Sequence, residues 1–152
     1  MTWVDPVRTR LWSTTEFVDL MDCTERPHTR YGEDLTGAIL LTVSGVVILD
    51  ENLASEIEGL WSAVAHLVAE YRKIGTARSL FPDQSLELAL DRVSRGLVRI
   101  TVSGSDFRRT SVGGEADLLS ALVAGGLQFF EKMAELTQSF YAREIQLLED
   151  QQ

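Results

Sequence analysis

Two histidines, one cysteine and three close-set pairs of carboxylates are the groups in this 152-residue sequence whose types could carry chemistry. His66 has Glu70 four residues on and Ser62 four residues back, which aligns the three along one face of a helix. A Ser-His-carboxylate relay also needs a serine exposed on a sharp turn and oxyanion donors beside it, and the spacing supplies neither. His66 therefore reads as a helix-surface or boundary residue. His28 stands near Asp22, Cys23 and Glu25, all metal-capable, but the spacing matches no standard site and the stretch reads as a solvated loop. A single cysteine excludes an internal disulfide and a cysteine-based zinc site within one chain, leaving Cys23 as a small buried or half-buried thiol. The pairs Glu33-Asp34, Asp50-Glu51 and Glu56/Glu58 would need a cleft and a shifted pKa to act as acid and base. Helix-start and loop roles account for them more simply. No dinucleotide-binding glycine fingerprint and no phosphate-binding loop is present. The expectation is a protein that is not an enzyme and has no catalytic residue, cofactor or metal.

Charge says more than motif. The net charge is −9 and the pI about 4.7, which disfavours nucleic-acid phosphates and anionic membranes. Five acidic residues and no Lys or Arg lie between Asp50 and Glu70, and six acidic against two basic lie between Glu16 and Asp34. By contrast Arg92, Arg95, Arg99, Arg108 and Arg109 are followed and preceded by few acids, with only Asp106 among them. Such polarity describes ordinary solvated faces or an acidic face for a basic protein partner. The second reading names Asp50, Glu51, Glu56 and Glu58 as partner-binding residues. The arginines holding an anion or an acidic partner is the weaker alternative at this net charge.

The elements that must position these groups follow from periodicity. With 45% hydrophobic residues the chain fits one domain spanning residues 1–152. A strand is expected near Arg10–Asp19, a polar loop over Asp22–Asp34, then strands at Thr36–Val43 and Val46–Leu49 joined at Ser44-Gly45. An amphipathic helix of about 23 residues follows, with Asp50, Glu51 and Asn52 at its start and Gly75 as its stop. Thr76–Gln84 reads as a linker. Leu86, Leu88 and Leu90 then alternate with polar residues, as do Val98, Ile100 and Val102, and Arg92–Gly96 joins them as a hairpin loop. Pairing Leu90 with Val98, Leu88 with Ile100 and Leu86 with Val102 gives every inward residue an apolar partner. Phe107–Val112 is an edge strand protected by arginines. The order argues an α+β fold: an antiparallel sheet of about five to six strands packed on one face by two long helices.

The last helix, Glu115 to Asp150, carries two apolar rows, and unbroken it would span about 50 Å, more than a small domain. Gly125-Gly126 lies inside it, either as a kink site or as a place of close backbone approach. Both rows can be core; alternatively one row faces a second subunit, with Met133, Phe140, Tyr141, Ile145 and Leu148 as self-association residues of a homodimer.

From Leu60 to Phe140 the hydrophobic spacings (Leu60, Trp61 and Leu67, then Phe81, Leu86, Leu88 and Leu90, then Gly96 and Val98 to Val102, then an aromatic closing helix) resemble small acidic bacterial immunity proteins of the WapI-like type. The resemblance implies a non-enzymatic protein that binds and neutralises a toxin domain, and transfers no functional residue. No basic start leading into an apolar run and a cleavage site opens the chain, and Ala38–Leu49 is too short to cross a bilayer. A cytoplasmic protein with no nucleic-acid or membrane partner is expected.

Overall fold

The computed structural model describes residues 3–29 and 34–152; residues 30–33 of the expected loop, with Glu33 of one carboxylate pair, lie outside the described residues. The fold is α+β, all strand pairs antiparallel, with the strands divided between two sheets rather than gathered in one. The first sheet holds β1 (Arg8–Trp12), β2 (Phe17–Asp19), β3 (Thr36–Val43) and β4 (Val46–Leu49) in the order β2-β1-β3-β4, and β5 (Ser55–Glu56) pairs with β3. Helix α1 (Ile57–Ile74) leads into the second sheet. This is a four-stranded meander of β6 (Thr76–Leu80), β7 (Glu87–Ser94), β8 (Leu97–Gly104) and β9 (Phe107–Gly114). Helices α2 (Glu115–Thr137) and α3 (Ala142–Glu149) close the chain.

β3 and β4 form where apolar and β-branched residues are dense, and Gly75 ends α1 in the left-handed region at φ 88°, its N–H returning to the Tyr71 carbonyl. The start of α1 is later than expected. Asp50 caps a short 3-10 turn over Glu51–Leu53, and Glu56 caps the helix itself. β6 was not expected either: Thr76–Leu80 lies in the stretch read as a linker, and it pairs along its whole length with β7. The register of β7 on β8 is two residues from the expected one, Leu90 facing Ile100 and Leu88 facing Val102. Leu88, Leu90, Val98, Ile100 and Val102 are buried as expected because side-chain parity is local, whereas Leu86 precedes β7, has no partner on β8 and is half-buried. The offset arises because the hairpin closes on Arg95-Gly96, with Gly96 at φ 77°, and takes up a bulge between Arg92 and Ser94.

The two sheets meet at a reciprocal pair of hydroxyl bonds. Ser44 Oγ donates to the Val112 carbonyl at 2.7 Å, and Ser111 Oγ donates to the Val43 carbonyl at 2.8 Å. Each serine satisfies a carbonyl on the other sheet's strand, so the β3–β4 hairpin covers the C-terminal end of the outer edge of β9.

The long terminal helix breaks, and not at its glycines. Thr137 Oγ1 donates to the Met133 carbonyl at 2.7 Å, and Gln138 takes φ 56°, ending α2. α3 then folds back, with Leu148 fully buried and contacts to both α1 and α2. Gly125 and Gly126 stay helical and are the notch that admits Trp61 of α1. A Cβ on Gly125 would lie 2.9 Å from the Trp61 ring and 2.9 Å from Val7; on Gly126 it would lie 2.8 Å from the Leu148 tip and 3.3 Å from Trp61. Buried Trp61 stacks on Phe129 with ring centroids 6.2 Å apart and donates Nε1–H to Thr9 Oγ1 at 2.9 Å.

An alanine at Gly125 gains about 1 kcal/mol of helix propensity but overpacks a rigid ring and a β-branched side chain, at about 1–3 kcal/mol. Gly125→Ala is therefore expected to lower the urea midpoint of unfolding, and Gly126→Ala to lower it less, since the Leu148 tip can turn aside. Denaturation followed by tryptophan fluorescence checks the order.

Candidate protein-binding surface

The four carboxylates expected to meet a partner are each engaged within the chain. Asp50 accepts from Asn52 N–H at 3.0 Å and lies 3.1 Å from Arg109 Nη1. That nitrogen is buried and makes no well-aligned hydrogen bond, so the contact is an ion pair by proximity. Glu51 accepts from Arg10. Glu56 accepts from Gly59 N–H, and burial, ahead of the neighbouring carboxylates, pushes its pKa up. Glu58 accepts from Tyr141 O–H at 3.1 Å. The contacts of Asp50 and Glu51 reach β9 and β1, and that of Glu58 ties α1 to the α2–α3 junction, so these half-buried carboxylates have partners within the chain.

The self-association set divides in the same way. Met133 and Leu148 are fully buried in their own chain's core and cannot reach a second copy, which corrects that part of the reading. Tyr141 packs its ring 5.4 Å from Phe130, and Ile145 is half-buried against the same core. Phe140 alone stands free, 97% exposed in the α2–α3 junction.

His66 is exposed on α1, its Nδ1 2.8 Å from the Ser62 carbonyl rather than the hydroxyl. Cys23 is half-buried, and burial pushes its thiol up. With His28, Asp22 and Glu25 it borders an open hollow of about 550 Å³ beside β1 and β2. Among the described residues no three metal-ligating side chains cluster. One linked titratable group was missed in the sequence. Tyr71 O–H donates to Glu115 Oε2 at 2.7 Å, and Arg92 Nε donates to the same oxygen at 3.3 Å while lying 5.5 Å over the tyrosine ring. Burial first, then the Glu115 bond, pushes the phenol up to about 12, the wrong direction for a base near neutral pH. The cluster ties the end of α1 to β7 and to the start of α2.

The outer face of the second sheet is a polar, exposed surface. α1 and β4 lie against its inner side, where Leu88, Leu90, Val98, Ile100 and Val102 are buried. The outer side carries Arg78, Glu87, Asp91, Arg99, Thr101, Ser103, Arg108 and Thr110, arranged by the register so that Asp91 faces Arg99, Thr101 faces Thr110 and Ser103 faces Arg108. Arg78 reaches Glu87 at 3.2 Å and Asp91 at 3.6 Å. Arg99 and Arg108 are exposed, and among the described residues neither has a carboxylate within salt-bridge distance. With Arg78, Asp91, Thr101 and Ser103 they line a depression of about 250 Å³. Alternation along β9 was the available signal: Arg109 points inward to Asp50, so Arg108 must point out.

No family model, curated protein or solved structure matches the chain. No helix among the described residues is long and apolar enough to cross a membrane.

The Tyr71 cluster has a titration signature. The phenol's pKa is raised on folding from its usual value near 10 to about 12, so its contribution to stability is whole below pH 10 and is lost as pH rises toward 12. The Glu115 carboxyl is lowered, by the Tyr71 bond first; its contribution is present above the ordinary carboxylate range and lost as pH falls through the lowered value. Tyr71→Phe is expected to flatten both limbs of a stability-against-pH curve and to lower stability near neutral pH by about 1 kcal/mol. Urea titrations from pH 3 to 11 measure this.

Proposed function

We propose that the chain is a non-enzymatic protein-binding domain of the immunity type that its hydrophobic spacings resemble, acting inside the cell. Its docking surface in this reading is the outer face of the second sheet. The observation that carries it is the pair Arg99 and Arg108. In a chain with 23 acidic and 14 basic residues, carboxylates are in excess, and Asp50, Glu51 and Glu58 have been drawn to internal donors. Two exposed arginines beside a polar depression are left without one. An acidic partner supplies the missing carboxylates, with bidentate geometry available to each guanidinium. The partner's charge is thus the opposite of the one the excess of acid suggests. Neutralising a toxin domain is the role the resemblance implies for such a surface.

A second reading, self-association, keeps one anchor in Phe140. A monomer by light scattering at high concentration removes it.

A photo-crosslinking residue placed at Thr101 tests the main reading in the protein's own cells. A heterologous adduct is expected from Thr101, absent from the exposed α2 position Ser120 and lost when Arg99→Glu and Arg108→Glu are combined. An adduct that survives the double charge reversal, or one that forms from Ser120 and not from Thr101, overturns it.

A further inference from the structure

The second sheet has two edges, and they are treated differently. On β9 the outward Val112 carbonyl accepts from Ser44 Oγ, and Ser111 Oγ donates to the Val43 carbonyl, so the β3–β4 hairpin covers the C-terminal end of that edge. β6 is hydrogen-bonded to β7 on one side, and among the described residues no strand pairs with its other side. The alternation of its backbone groups is fixed by the bonds that flank it. Arg92 N–H donates to the Gly75 carbonyl and Phe81 N–H to the Leu86 carbonyl. With the register Ala77 to Leu90 and Ser79 to Leu88, this makes Ala77 and Ser79 the residues whose N–H and C=O groups face β7. The N–H and C=O groups of Thr76, Arg78 and Leu80 therefore face outward, a row of three donor and acceptor pairs with no ladder partner.

We propose that this edge receives an extended segment of an acidic protein partner, which adds to the sheet as a fifth strand. The inference rests on the protein-binding reading above and specifies how the partner's main chain engages. β6 contains no proline, and its pairing with β7 runs without a bulge, so among the devices that blunt an edge it has a short length of five residues and the single charge of Arg78. That charge selects the occupant. Full-length antiparallel pairing of β6 with a second copy, centred on the strand, sets Arg78 directly opposite Arg78, and like charges in opposed positions are destabilising. A foreign strand that carries a carboxylate there is stabilised instead. The Arg78 side chain is 57% exposed, and its contacts to Glu87 and Asp91 lie on the inboard side, so donors of its five-donor fork stay open outboard. Leu80 is 70% exposed two residues on, on the same outer face. The segment that fits carries an acidic residue opposite Arg78 and an apolar one opposite Leu80, with further acid toward Arg99 and Arg108.

The probe is a blocked peptide of sequence Thr-Glu-Thr-Ile-Thr-Glu-Thr. Its controls are the same peptide with lysine for glutamate and the same peptide with alternate backbone amides N-methylated, which keeps the charge and removes the strand donors. Amide hydrogen exchange of the purified chain is the readout. Millimolar acidic peptide is expected to slow exchange at Thr76, Arg78 and Leu80 at least tenfold, with Ala77 and Ser79 unchanged because they already bond β7. The two controls are expected to give no protection. Leu80→Pro removes only an outward N–H and leaves the β6–β7 ladder intact, so it should retain the melting temperature of the parent and lose the protection. Should that variant misfold, Arg78→Glu, an exposed charge change, is expected to shift protection from the glutamate peptide to the lysine peptide. Protection equal with the N-methylated peptide, or none with any peptide, overturns the edge proposal. Perturbation of the Arg99 and Arg108 side chains without protection of β6 sinks the edge while leaving the face reading standing, and crosslinking at Thr101 judges that reading separately.

Discussion

The packing of Trp61 into the notch left by Gly125 and Gly126 is the contact on which the other elements depend. One indole meets β1 through Thr9, α2 through the two glycines and Phe129, and the neighbourhood of α3 through Leu148. Paired glycines within a helix cost about 2 kcal/mol of propensity relative to alanine. Burying a large aromatic side chain and satisfying its N–H inside the core offsets that. Because the notch brings α1 so close to α2, the C-terminal segment has a shallow groove over which to return, and the terminal helix need not project into solvent. The break at Gln138 and the close approach at Gly126 are two parts of one arrangement. The first turns the chain and the second receives Leu148.

That arrangement also decides where the charges go. Folding α3 back brings Tyr141 to Glu58, and seating α2 across the end of α1 brings Glu115 to Tyr71 and Arg92. On the other flank, the approach of the β3–β4 hairpin to β9 puts Asp50 beside Arg109. Partly exposed pairs of this kind contribute little each, about 0–1 kcal/mol. Their larger effect is on what remains outside. A chain rich in acid uses part of that acid to close its own seams, and the sheet face opposite those seams is left with arginines.

Local pattern made some of this legible in the sequence and tertiary contact hid the rest. β3 and β4 were readable because apolar and β-branched residues are dense there around Ser44-Gly45, and the end of α1 was readable because Gly75 closes a turn that holds Arg72 and Lys73. β6 was hidden because Thr-Ala-Arg-Ser-Leu has only one well-buried residue, Ala77, and becomes a strand by pairing with β7. The glycine pair could be read as a kink or as a close contact, and only the location of Trp61 decides between them. The bonds that commit Glu51 and Glu58 reach across 41 and 83 residues of sequence, so no local pattern could separate a free carboxylate from an engaged one. The same holds for the arginines. Arg108 and Arg109 are neighbours with identical chemistry, and the pleat alone sends one to Asp50 and the other to solvent.

The two edges of the second sheet differ at the end that the β3–β4 hairpin reaches. Serine hydroxyls at the end of β9, rather than another strand in register, satisfy one carbonyl on each sheet without extending either one. Among the described residues no such bond reaches the outward groups of β6. There the row of outward amides favours any extended chain without regard to sequence, whereas the charge of Arg78 disfavours its own copy and favours acid. Backbone pairing supplies affinity and the open-face side chains supply selection, the division of labour seen wherever a strand is added to a sheet. Arg99 and Arg108 lie on the face that such a strand would extend, so edge and face select for the same sign of charge.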